Sequence, residues 1–140
     1  MKLTTTTDKL IDSIINSDSE VFIEETNEWV DGMYIRTLIL PKNIVVVGHI
    51  HKKATINILT KGVLLIRNAT DKDWTRIEAP YTIVTPPGTQ KIALALEDSV
   101  FINIIRTDKT TIEETYEDVV VPDKRAIIYH QYKALEGVIE

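Results

Sequence analysis

The sequence predicts an all-β domain, a sandwich or barrel of short strands with helical segments at its two ends. Three observations carry this. Apolar residues recur with period two from Glu20 onward, through Val21 and Ile23 and then Ile35, Thr37 and Ile39, and culminate in the β-branched run Ile44-Val45-Val46-Val47. Turn signals follow at short intervals: Asp31-Gly32, Pro41-Lys42-Asn43, Lys61-Gly62, Asn68 to Asp73, Pro86-Pro87-Gly88 and Glu97-Asp98-Ser99. Neither a βαβ alternation nor a tandem repeat is visible.

Taken in order, the elements begin with a helix over residues 5–16, because Leu10, Ile11, Ile14 and Ile15 recur at helical spacing behind threonines and Asp8 that can cap it. Strands then fill residues 21–107. Within them Val45, Val47, His49 and His51 fall on one strand face, since alternate side chains point the same way. From Thr107 to Asp118 the chain is polar and acidic, with Ile112 and Tyr116 four apart, which predicts a helix. Glu113, Glu114, Glu117 and Asp118 form its solvated face. Pro122 introduces a second helix over Asp123 to Glu136, with Ile127, Ile128, Tyr132 and Leu135 as its stripe and Gly137 as its stop. His130 lies on it in a surface or packing position. The chain thus divides into an N-terminal helical segment (1–20), a β-barrel (21–107) and a helical C-terminal extension (108–140). That extension is too short for a core of its own, so its stripe must be buried on the barrel or on another molecule.

Composition sets the class of molecule. A chain of 140 residues, 44% hydrophobic, buries enough surface for a core without staples. The absence of cysteine excludes disulfides, thiolate-held zinc, iron–sulfur clusters and thiol nucleophiles. Sixteen Lys and Arg against 21 Asp and Glu give a net charge of −5 with no basic cluster, so nucleic acid is not an expected partner. Apolar runs are far shorter than the roughly 20 residues that span a bilayer. Met1-Lys2-Leu3 and the threonines behind it lack the apolar stretch of a secretory signal, so a cytoplasmic location is expected. Gly-rich phosphate loops, a Gly-x-Ser-x-Gly elbow and His-Glu-x-x-His are all missing, and nothing in the spacing joins Glu78 to Glu97 as a carboxylate pair. Trp29 and Trp74 sit beside turn-like or charged residues, as partly buried edges or interface anchors.

The most informative stretch is Gly48-His49-Ile50-His51 followed by Gly62. Two imidazoles two apart on a strand can converge on one ion. Lys52-Lys53-Ala54 and Thr55 follow, then six residues and Gly62; further on stands Pro86-Pro87-Gly88-Thr89-Gln90-Lys91, with Ala95 four positions later. Together these two spaced motifs resemble the cupin family over residues 33–106. The resemblance implies a cupin-type jelly-roll β-barrel. It also implies a metal site of three histidines and a glutamate, from which this chain departs: Thr55 stands at the glutamate position and Lys91 at the third histidine. Threonine is a poor ligand and an ammonium repels a cation, so no cofactor is expected beyond a divalent metal held weakly by His49 and His51.

The candidate ligand pocket is therefore His49, His51, Thr55, Asn57 and Lys91. Lys91 reads as an anion anchor or, with a depressed pKa, a Schiff-base amine. Plainer readings stand beside these: the imidazoles as inward polar residues bonded to Thr55, Asn57 or water, and Lys91 as a side chain reaching solvent at the barrel mouth. The runs Val47 to Lys52, Ile58 to Gly62, Thr85 to Lys91 and Ala95 to Val100 are also similar to small bacteriophage cupin-like proteins. The leading expectation is a non-catalytic structural or protein-interaction module, virion-associated or in the host cytoplasm if phage-encoded. It would form a homo-oligomer, dimer or higher, and meet a protein partner through the C-terminal helix. The alternatives are a small-ligand-binding cupin, or a cupin enzyme of the metal-dependent isomerase or oxygenase type using His49 and His51.

Overall fold

A computed structural model describes residues 22–68, 73–122 and 128–131. The helix expected over 5–16 lies outside these residues. Twelve strands and one helix follow in order: β1 (Glu24–Val30), β2 (Met33–Leu40), β3 (Ile44–Val47), β4 (Ile50–His51), β5 (Thr55–Lys61), β6 (Val63–Asn68), β7 (Thr75–Glu78), β8 (Tyr81–Thr85), β9 (Lys91–Ala95), β10 (Ser99–Arg106), α1 (Ile112–Val119), β11 (Val120–Val121) and β12 (Ile128–Gln131). They form two antiparallel five-stranded sheets, β1-β2-β10-β5-β8 and β12-β3-β9-β6-β7, with β11-β4 as a two-stranded strip. This is the all-β barrel that the period-two pattern and turn spacing predict.

The turns do what their residues allow. Asp31 and Gly32 both take positive φ, as a two-residue hairpin joining β1 to β2 requires, with Val30 opposite Met33. Gly62 has φ of +95°, and a Cβ there would overlap Ser99 Oγ and sit 2.5 Å from the Asp98 carbonyl oxygen. Only glycine fits where the β5–β6 connection crosses the turn before β10.

Between the sheets, Leu38, Leu40, Ile44, Val46, Leu59, Leu64, Ile77, Ala95 and Phe101 form the main core. A second cluster, Val45, Val47, Ile92 and Leu94, lies on the opposite face of β3 and β9, with Leu65 and Trp74 packed against it. Both faces of β3 are thus buried, which explains why its sequence is a continuous β-branched run rather than an alternation. Trp74 is a packing residue, with the Arg67 guanidinium 5.9 Å over its ring.

Two expectations are corrected. Residues 128–131, placed by their apolar spacing in a helix over 123–136, form β12 and pair with β3, Ile128 opposite Val47 and Gln131 opposite Ile44. An open edge of the second sheet offers ladder hydrogen bonds that outweigh the weak helical preference of Ile128 and Tyr129. The helix expected within Thr107 to Asp118 is present as α1. Thr111 caps it, accepting from the Glu114 amide at 3.3 Å while its hydroxyl bonds the Glu114 carboxylate at 3.1 Å. The second correction concerns Val45, Val47, His49 and His51, which do not share a face. Val45 and Val47 belong to the second cluster, whereas His49 and His51 line the interior with Val46. The strand is interrupted at Gly48 and His49, and the interruption reverses the parity.

Candidate functional site

The interior changes character at one level of the barrel. On β2 the inward residues run Leu40, Leu38, Arg36, Tyr34; on β10, Phe101 then Asn103; on β5, Leu59, Asn57, Thr55; on β9, Ala95, Ala93, Lys91. Antiparallel pairing brings the polar members side by side, with Asn103 opposite both Arg36 and Asn57. They form a hydrogen-bonded row across four strands. Arg36 Nη2 donates to Asn103 Oδ1 at 3.3 Å, Asn103 Nδ2 to Asn57 Oδ1 at 2.8 Å, and Asn57 Nδ2 to Thr85 Oγ1 at 3.2 Å.

Facing this row across the barrel are His49, His51 and Lys91. A cavity of about 30 Å³ lies between, lined by Arg36, His49, His51, Lys91 and Asn103 above an apolar floor. The loop that carries Lys91 is braced against the histidine strand: Gly88 N–H donates to His51 O at 2.7 Å, and Gln90 Nε2 to Gly48 O at 3.1 Å. Gly48 itself donates to Lys91 O at 2.8 Å, and a side chain there would press on that oxygen at 3.3 Å.

Helix α1 covers this end of the barrel. Trp29 Nε1 donates to Thr115 Oγ1 at 2.9 Å, Arg36 Nη1 to Tyr116 Oη at 3.4 Å, and the His49 ring meets Tyr116 edge-on at 5.0 Å. The helix end is pinned by Lys52, which donates to Glu117 O at 2.9 Å, and by Lys53, whose Nζ lies 2.7 Å from Asp118 Oδ2. Lys53 and Thr107, both donating to Asp118, hold its carboxyl below the usual range. Beyond the helix, β11 pairs with β4, placing Val120 opposite His51. Trp29, stacked on Tyr34 at 5.4 Å, is a partly buried edge of this cap.

Burial sets the charge states. His51 is 5% exposed with Nδ1 unbonded among the described residues. Desolvation first, then Lys91, Arg36 and His49, push it down to about 3, so it is neutral. Desolvation and then Arg36 lower Lys91 to about 8. Burial also raises the Tyr34 phenol, which donates to Asn27 Oδ1.

Of the five residues singled out by sequence, the structure brings His49, His51 and Lys91 to the cavity. Asn57 is one step away, through Asn103. Thr55 is fully buried but does not line the cavity; its hydroxyl bonds Lys53 O at 3.4 Å. Sequence reasoning missed Arg36 and Asn103. Each is a polar residue in an apolar strand at the parity of core neighbours, Leu38 for Arg36 and Phe101 for Asn103, and that signal was readable.

No family profile and no curated sequence matches the chain. Solved structures do. KdgF from Halomonas sp. superposes with a TM-score of 0.55 at 18% identity, covering 66% of this chain and 87% of that one. A cupin superfamily protein from Desulfitobacterium hafniense gives 0.53 at 11%, over 69% and 87%. An RmlC-like cupin from Shewanella frigidimarina gives 0.52 at 11%, over 72% and 90%. This chain has the cupin fold. The metal position that the motif resemblance implies holds groups that do not fit a metal ion. Thr55 turns to the backbone, Lys91 and Arg36 bring positive charge to the two imidazoles, and no cluster of three His, Asp or Glu among the described residues could hold an ion. Among the described residues, no helix is long and apolar enough to cross a membrane.

Proposed function

We propose that the chain is a non-catalytic cupin-fold binding module that takes a small carboxylate-bearing ligand inside the barrel without a metal. The observation that carries this is the lining of the cavity: Lys91, Arg36, neutral His51 and Asn103 converge there, and no carboxylate from the described residues lines it. Buried cations favour an anion between them, and His51 and Asn103 supply further hydrogen bonds to its oxygens. A protein-interaction role through the C-terminal segment has less behind it, because β12 is hydrogen-bonded to the chain's own β3.

The test is a thermal-shift titration with short aliphatic carboxylates such as butyrate, run on the wild type and on Lys91→Met. Saturable stabilisation of the wild type that the variant loses supports the reading, since a ligand of the folded state must raise its stability. Equal response in both proteins, or none in either, overturns it.

A further inference from the structure

Lys91 lines two internal cavities. On one side is the polar cavity with Arg36 and His51; on the other is a space of about 70 Å³ where Ile66, Ile77, Tyr81 and Ile83 stand together with Asn68, Thr75 and Thr85. The order along the interior is cationic pocket, primary amine, and a mixed pocket with an isoleucine wall. A ligand that fills this series has a carboxylate at one end, an electrophile that an amine can meet next to it, and a short hydrocarbon chain beyond.

We propose that Lys91 captures a short-chain 2-oxo acid as a reversible imine, with the carboxylate beside Arg36 and His51 and the alkyl chain among Ile66, Ile77 and Ile83. The proposal rests on the carboxylate-binding reading and adds the chemical class of the ligand. The Nζ lone pair adds to the keto carbon, forming a C–N bond as the carbonyl π electrons move to oxygen, which takes a proton. The nitrogen then gives up its proton, the hydroxyl leaves as water, and C=N forms. Amine and ketone become imine and water, so no oxidant or reductant is needed.

Placement separates this lysine from the other described lysines. Lys42, Lys52, Lys61 and Lys109 are exposed, and Lys53 Nζ is engaged by Asp118 and by Arg106 O. Lys91 Nζ donates no hydrogen bond to a described residue, and Arg36 lies on its polar side. Burial supports the same conclusion, because an amine lowered to about 8 is uncharged in about a tenth of molecules at pH 7.

The experiment treats the full chain with 2-oxobutyrate and cyanoborohydride, which reduces an imine to a stable secondary amine, and locates adducts by peptide mapping. Butyrate serves as a non-reactive competitor and butyraldehyde as a carbonyl without a carboxylate. The expected result is a single adduct concentrated at Lys91, slowed by butyrate, with butyraldehyde spread over exposed lysines and no such adduct in Lys91→Arg. Adducts on exposed lysines in place of Lys91 overturn the imine. If butyrate still stabilises the wild type in that case, the carboxylate site survives and only the covalent step is wrong. If butyrate is inert as well, both fall.

Discussion

The two halves of the barrel interior are built from the same strands and do opposite things. Toward one end, Leu40, Leu59, Leu64, Ala95 and Phe101 close into a dry core. Toward the other, β2, β5, β9 and β10 switch to Arg36, Asn57, Lys91 and Asn103, and the chain after β3 contributes His49 and His51. Backbone pairing is continuous through both, so the fold does not require the switch. Apolar residues would have packed the upper half at less cost, because buried cations and an unbonded imidazole nitrogen lower stability. A difference held at the same level on both sheets marks where the molecule gives up stability, and the proposed ligand site lies at that level.

The comparison is sharpened most by acid. His51 is neutral in the fold but takes a proton when unfolded, so below pH 6.5 the unfolded chain binds more protons and stability falls until about pH 3. Its full contribution over that window is about 5 kcal/mol, and His51→Phe should flatten this part of the urea-measured stability profile. An unchanged slope would mean that the imidazole is solvated. Next in size, Phe101→Ala in the dry half should cost about 4 kcal/mol by denaturant unfolding. A loss below 1 kcal/mol would break the contrast between the halves.

Lys91→Met should act in the opposite direction and stabilise. The folded amine titrates near 8 against 10.5 when unfolded, so its penalty is complete below pH 8 and disappears as pH rises to 10.5. The gain at pH 7 is about 3 kcal/mol at most, shrinking to nothing at high pH; a pH-independent effect would point to packing instead. Smallest, Thr111→Ala removes the cap of α1 and should cost about 1 kcal/mol, while speeding hydrogen exchange in 112–119 more than in the dry half. Uniform acceleration would show that the covering helix and the barrel open as one unit.

Much of the fold was legible because its signals are local. Period two, the β-branched run and the turn dipeptides each act within a few residues, and the Thr111-x-x-Glu114 cap is local as well. The site was half legible. His49, His51 and Lys91 stand at fixed offsets from Gly62 and Gly88, but Arg36 reaches the same cavity by strand pairing, its hydrogen-bonded neighbour Asn103 standing 67 residues away. Register between distant strands is not written in either segment alone. The parity reversal escaped notice for a different reason: Val45 to His51 reads as one alternation, and only the break at Gly48 and His49 turns the imidazoles inward. At 128–131 the local pattern suited a helix, and the partner that decided otherwise, β3, lies more than eighty residues earlier.

The row that starts at Arg36 has one orientation, imposed at one end by the arginine and at the other by the Thr55 and Ile83 carbonyls that accept from the Asn57 amide group. A guanidinium can only donate, so Asn103 must turn its oxygen toward it, which sends the Asn103 amide group to Asn57 Oδ1 and the Asn57 amide group to Thr85. Thr85 completes the series by donating to Thr55 O. The side-chain dipoles are therefore aligned head to tail across four strands, with their negative ends toward the buried cation, each polarising the next. Part of the solvation that Arg36 lost on burial is thus returned by a fixed electric field.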